Sequence, residues 1–192
     1  KSVTYGAGWA ALKVDGSVVT WGEENYSIPK SNYRSSNEVI DELKSAVIKI
    51  FSGNQTCAAL KKDGSVVTWG NKKIGGNSSI FKAGKYSDAG DSYISIADQL
   101  NGGVEDLIVG GYAYAALKKD GSVITWGDSN YGVADSTINS RLKTGVIKIL
   151  SCGNSFAAIK DDGSVINWGG GSARDARVQT SSGEYISVAN QL

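Results

Sequence analysis

Four aspartates recur at one position of a repeated block: Asp15, Asp63, Asp120 and Asp162. Carboxylates at regular spacing suggest a metal-binding role. Each, however, stands directly before a glycine, and an Asp-Gly pair between apolar runs is turn chemistry. Four tryptophans recur in the same way, Trp21, Trp69, Trp126 and Trp168, each also before glycine. They are candidate sugar-stacking platforms. Their shared strand position argues instead for anchors in a core between repeats. Trp9 lies outside this series and reads as partly exposed. The glycine stretches Gly75-Gly76 and Gly169-Gly170-Gly171 lack the spacing of a phosphate-binding loop, and no long helix is expected after them. They read as ordinary loops. The chain has no histidine, which excludes a Ser-His-Asp triad. The commonest general base and metal ligand are excluded with it. No catalytic, cofactor-binding or metal-binding residue is assigned, no cofactor is expected, and the chain reads as a non-enzyme. The two cysteines, Cys57 and Cys152, are too few for a disulfide scaffold and are expected as buried thiols. Asn25, Asn54 and Asn77 open sequons that matter only in a secreted eukaryotic chain.

The elements that carry these residues follow from the repeat. Four blocks align: Ala10 to Gly22, Ala58 to Gly70, Ala115 to Gly127 and Ala157 to Gly169. Each reads as a version of Ala-Ala-Leu-Lys-x-Asp-Gly-Ser-Val-x-x-Trp-Gly. A second landmark, a segment ending in Leu43, Leu100, Leu142 or Leu192, follows each block. Cutting after each Leu gives a single repeat domain over 1–192, with units 1–43, 44–100, 101–142 and 143–192. The Asp-Gly pairs are expected as type I′ hairpin turns. The strand after each turn, such as Ser65 to Trp69, has apolar groups on both faces and reads as buried on both. The paired alanines before the turn permit neighbouring sheets to approach closely. A third strand precedes each hairpin at Val47 to Phe51, Val104 to Val109 and Val146 to Leu150, and Val3 aligns with Phe51. The Leu-terminated segments fit a short helical turn better than a strand. Three or four antiparallel strands per unit predict an all-β tandem-repeat β-propeller with four blade-like units and short helical turns between blades. The units either close a four-bladed ring or form a segment of a larger propeller.

At the repeated block the chain resembles the regulator-of-chromosome-condensation family, most of all its divergent repeats. The resemblance covers all four units. It implies a propeller. The family's founding member has seven blades and promotes nucleotide exchange on a small nuclear GTPase, while other members are protein-interaction modules. Three departures stand out. The Gly-Gln-Leu-Gly stretch expected after Trp-Gly is absent, and Asp128-Ser129-Asn130-Tyr131-Gly132 keeps only an echo of it. There are four units rather than seven. Histidines common before the first Ala-Leu are replaced at Trp9, Cys57, Tyr114 and Phe156 or their neighbours.

Bulk composition narrows the function classes. The 192 residues carry 20 basic and 19 acidic side chains, a formal net charge of +1. That balance predicts no nucleic-acid partner and no anionic-membrane partner. No stretch approaches the roughly 18 apolar residues of a membrane span, so no membrane insertion is expected. There is no methionine, and the chain reads as a piece of something longer. The unequal loops after Trp-Gly are the most individual segments. Unit two has the longest, Asn71 to Ser92, with Lys72, Lys73, Lys82 and Lys85. Glu23 to Tyr26 and Ser172 to Glu184 are expected on the same face. The resulting expectation is a non-catalytic protein-interaction or structural module, with a protein partner or self-assembly and an extracellular or cell-surface setting. A guanine-nucleotide exchange factor is one alternative. A carbohydrate-binding propeller using Tyr26, Tyr33, Tyr86 and Tyr131 is the other.

Overall fold

In the computed structural model the described residues are 1–6, 8–22, 32–82, 92–170, 177–179 and 185–187. Unit one holds β1 (Ser2–Tyr5), β2 (Gly8–Leu12) and β3 (Val18–Trp21), hydrogen-bonded in that order, then β4 (Tyr33–Arg34). Unit two holds β5 (Val47–Gly53), β6 (Thr56–Lys61), β7 (Val66–Asn71), β8 (Ser79–Lys82) and β9 (Ser92–Ser95). Unit three holds β10 (Val104–Val109), β11 (Ala113–Lys118) and β12 (Val123–Asp128). Unit four holds β13 (Val146–Cys152), β14 (Ser155–Lys160), β15 (Val165–Gly169), and the two-stranded pair β16 (Arg177–Gln179) and β17 (Tyr185–Ser187). The expected third strands are all present, and Val3 pairs with Ala10 as Phe51 pairs with Ala58.

Three of the Leu-terminated segments are helical turns, as their spacing predicts. They are 3-10 helices at Ser36–Val39 and Ala97–Leu100 and a short α-helix, α1, at Ser136–Arg141. Ser35 and Asp135 cap two of them through side-chain oxygens that accept backbone N–H groups. The fourth segment, around Leu192, lies outside the described residues.

The hairpin turns differ from expectation. A type I′ turn would place both Asp and Gly at positive φ. Gly16, Gly64, Gly121 and Gly163 have φ of 75 to 83°, but none of the four aspartates does. In unit two the Lys61 N–H donates to the Ser65 carbonyl at 2.9 Å and the Gly64 N–H to the Lys61 carbonyl at 2.9 Å. That is a three-residue loop with a bulged glycine. The reason is the aspartate itself. Asp63 Oδ1 accepts from the Ser65 N–H at 2.9 Å and the Ser65 hydroxyl at 2.7 Å, and the other three copies repeat the pair of bonds. The side chain supplies the reversal that positive φ would otherwise have to supply.

Sheets stack through their faces, and strand alternation sets the pattern. The first Ala of each pair faces the following unit and the second faces the preceding one. Ala10 therefore shares a core with Ala59, Ala58 with Ala116, and Ala115 with Ala158. The first strands pack successively, β1 on β5, β5 on β10 and β10 on β13. An ion pair, Lys49 Nζ to Asp106 Oδ1 at 2.7 Å, ties β5 to β10. Backbone bonds add to the stacking. The Val104 N–H donates to the Gly64 carbonyl at 3.0 Å, and Val146 to Gly121 likewise. A Cβ on Gly64 would lie 2.7 Å from the Gly103 nitrogen, so this turn must carry glycine for close approach as well as for φ.

The sheets of units two and three are also extended from outside their own unit. β4 of unit one pairs antiparallel with β7, and β8 of unit two pairs parallel with β12. The long Asn71 to Ser92 insertion, expected as a projecting loop, is thus built in its described part into the next unit's sheet. Its Lys72–Ile74 3-10 helix ends at Gly75, whose carbonyl accepts the Trp126 indole N–H at 3.2 Å. The pairing satisfies a buried donor that would otherwise be costly.

Candidate interaction surface

Each unit places a second aromatic or sulfur side chain opposite its repeated Trp. The cross-strand pairs are Trp9 with Trp21, Cys57 with Trp69, Tyr114 with Trp126 and Phe156 with Trp168. All four pairs sit on the face turned toward the preceding unit. In units two to four that face is sealed. Trp69 and Trp126 are 0% exposed and Trp168 is 2%. Tyr114 stacks on Trp126 at 5.0 Å, and Phe156 stacks on Trp168 at 5.3 Å. The Trp168 indole donates to the Gly132 carbonyl at 3.0 Å, as Trp126 does to Gly75. The Tyr114 hydroxyl donates to Thr56 Oγ1 at 2.6 Å, and burial pushes this phenol far above its ordinary pKa. The tryptophans of units two to four are therefore core anchors, as the repeat position predicts.

Trp21 is the exception. The same motif, strand and register leave it 48% exposed, stacked on a Trp9 that is 45% exposed, with ring centroids 6.0 Å apart. Val19, on the same face, is 45% exposed, while its counterpart Val67 is buried. The expectation of four core tryptophans fails at Trp21 for a geometric reason. No preceding unit lies against this face among the described residues. The result is an apolar patch of Trp9, Val19 and Trp21 on an edge sheet, of the kind that marks interaction sites.

The other candidates distribute as follows. The four turn aspartates are exposed and hydrogen-bonded to their own serines, which lower their pKa values, Asp15 to about 2. They act as turn residues, and among the described residues no three potential ligands cluster for a metal. Tyr131 is 44% exposed and its ring lies 5.1 Å from Tyr112, while Tyr33 is half-buried in β4. Tyr26 and Tyr86 lie outside the described residues, as do Glu23 to Tyr26, Lys85 and most of Ser172 to Glu184. Lys73 lies over the Phe81 ring at 5.1 Å, and Lys82 is exposed. Burial raises the pKa of Asp128, opposed by hydrogen bonds from Asn130 and by Lys73. The expectation of two buried thiols holds for Cys57, whose Sγ donates to the Phe51 carbonyl, and fails for Cys152. Cys152 ends β13 at the strand's exposed rim, and the two cysteines are not joined in a disulfide. Trp9 is exposed, as the sequence predicts, whereas the exposure of Trp21 is not legible there. An aromatic at the Trp9 position gives no signal of exposure, since Tyr114 and Phe156 hold the same position and are buried.

The stacked sheets, two of them extended by a strand from the preceding unit, define a β-propeller segment. No family model matches the chain, and no curated protein matches it. Solved structures do. The Saccharomyces cerevisiae protein Prp20p is 16% identical with a TM-score of 0.53, over 97% of this chain and 48% of Prp20p. Yeast RCC1 (Prp20), in a complex with Kap60, is 17% identical with a TM-score of 0.51, over 88% and 42%. Human WBSCR16 is 18% identical with a TM-score of 0.51, over 88% and 47%. The architecture is therefore that of an RCC1-like propeller, and the chain spans less than half the length of these structures.

Proposed function

We propose that the chain is a non-catalytic protein-interaction or structural module, a single repeat domain with units 1–43, 44–100, 101–142 and 143–192, within a larger secreted or assembled protein. The observation that supports this most is the open Trp9, Val19 and Trp21 face. The same face in every other unit is a protein–protein packing surface within the chain. A protein surface is thus what this face is shaped to receive. Prp20 has been solved with Kap60 bound, and Prp20p is described with binding properties to Gsp1p and histones, which agrees in kind with a protein partner. The nucleotide-exchange alternative draws on the fold alone. A carbohydrate-binding reading has one supporting observation, the exposed Tyr112–Tyr131 pair, with rings tilted by 41° and open to solvent.

A photo-crosslinker placed at Val19 tests the proposal, with the exposed Lys119 as control. Val19 is expected to trap a protein, of whatever identity, and Lys119 is not. Absence of protein adducts at Val19, or equal yields at both positions, would contradict it. A glycan array on which binding disappears with Tyr131→Ala would favour the carbohydrate reading instead.

A further inference from the structure

Unit three carries a cleft that does not involve the face of unit one. β12 is paired with β11 along its length, but β8 reaches its other side only at Gly127 and Asp128. Strand alternation fixes which peptide groups line the remaining edge. The Asp128 N–H donates to the Tyr112 carbonyl, on the β11 side, whereas the Val123 N–H donates outward, to the Leu142 carbonyl at 2.9 Å. Residues 123, 125 and 127 therefore turn their peptide groups away from β11. Short of Gly127 that leaves the Val123 carbonyl and both the N–H and the carbonyl of Thr125, and no described residue bonds these groups. They lie on a cleft of about 380 Å³, within the size range of ligand sites. Ile80 and Ile96 give it an apolar wall from unit two. Lys118 and Lys143 give it positive charge, and no Asp or Glu is among its described lining residues.

Unit two shows what satisfies such an edge. There Thr68 is the counterpart of Thr125, since the two pair with Ala58 and Ala115. β4 joins β7 at Gly70 and Asn71, and Arg34 donates from Nη1 to the Thr68 carbonyl at 3.0 Å. Its Nη2 lies 3.8 Å from Glu42. The flanking turns correspond, because Lys61 donates to the Glu42 carbonyl at 3.1 Å and Lys118 to the Gln99 carbonyl at 3.4 Å. At β12, however, Gln99 takes the place of Glu42, and Lys143 the place of Asn101 after the repeated Leu. The edge flanked by a carboxylate holds a cation. The edge flanked by Lys118 and Lys143 calls for an anion.

We infer that this cleft receives an extended segment of a partner protein, which adds as a short strand to β12 at Val123 and Thr125 and sets an acidic side chain against Lys118 and Lys143. A peptide suits the cleft better than a free anion does. Its own N–H and carbonyl groups complement those of the Thr125 edge, and the Ile80 and Ile96 wall suits an aliphatic side chain. The cleft shares no residue with the patch of Trp9, Val19 and Trp21, so each surface can fail its test without the other.

Titration of the full chain with synthetic peptides tests this. The probes are short fluorescent peptides of alternating Val and Thr, with one Glu placed at each position in turn, and the matched series with Gln. A Glu peptide is expected to bind roughly tenfold more tightly than its Gln counterpart. Lys143→Glu is expected to weaken that binding roughly tenfold, one attraction being lost and one repulsion gained. Lys119→Glu, an exposed charge on the neighbouring hairpin turn, should leave it unchanged, and both variants should melt as wild type does. On binding, amide exchange should slow at Thr125 and stay the same at Thr68, whose edge Arg34 already fills. N-methylation of the peptide backbone should lower affinity by removing edge bonds. No binding in either series, equal binding of Glu and Gln peptides, or unchanged exchange at Thr125 overturns the inference. Glutarate that binds as tightly as the peptide overturns it too, in favour of a small-anion site. In each of those cases protein crosslinks at Val19 would leave the proposed function standing.

Discussion

Trp126 and Trp21 occupy the same place in the repeat, so truncating each to Ala measures what the neighbouring unit contributes. Trp126 is fully buried, stacks on Tyr114 at 5.0 Å and donates to the Gly75 carbonyl. Removing a buried indole costs about 3–5 kcal/mol in lost burial and cavity formation. The abandoned Gly75 carbonyl adds about 1 kcal/mol. Trp21 is 48% exposed and leaves no closed cavity, so its loss costs roughly 1 kcal/mol of burial. For a domain of this size each kcal/mol moves the midpoint by about 2–4 °C. Trp126→Ala should therefore lower Tm by about 10 °C or more, and Trp21→Ala by about 3 °C. Circular dichroism melts of the dilute, single-chain protein read both. Equal shifts would refute the reasoning, because they would mean that burial of the repeated Trp does not depend on a preceding unit.

Further predictions concern turns, protons and thiols. Gly64→Ala and Gly163→Ala both force a side chain to positive φ, at roughly 1–2 kcal/mol. Only at Gly64 does the new Cβ meet backbone, at 2.7 Å from Gly103 N, so urea midpoints should fall further for Gly64→Ala. The turn aspartates have folded pKa values below the ordinary 3.8, Asp15 reaching about 2. Their stabilisation is present above pH 3.8 and is lost as pH falls toward 2. Asparagine variants at these positions should flatten that part of the acid unfolding curve. In native protein a thiol reagent should modify Cys152 rapidly, and Cys57 only on unfolding, as peptide mass mapping would show.

Much of the architecture could be read before the structure, because it is written locally. Ser65 to Trp69 is β-branched and apolar, Asp63-Gly64 marks the reversal, and Glu38 to Leu43 has helical spacing. These signals depend on neighbours in sequence. The type of turn was less accessible, since it depends on whether the Asp side chain or the backbone satisfies the Ser N–H. Less accessible still was the state of Trp21. Its local sequence matches that of Trp69, Val-Val-Thr-Trp-Gly in both, yet one is exposed and the other sealed. Exposure here is a property of the stack, not of the strand. The same holds for Ser79 to Lys82, a short segment that is a strand because β12 offers it an edge.

The central claim is that the repeated Trp is a seal between units and that unit one alone leaves its seal open. Hydrogen exchange at the five indole N–H groups, resolved by NMR in the dilute single chain, tests it most directly. The account predicts slow exchange for Trp69, Trp126 and Trp168 and fast exchange for Trp9 and Trp21. Uniform protection of all five, or fast exchange at Trp126 and Trp168, would contradict it.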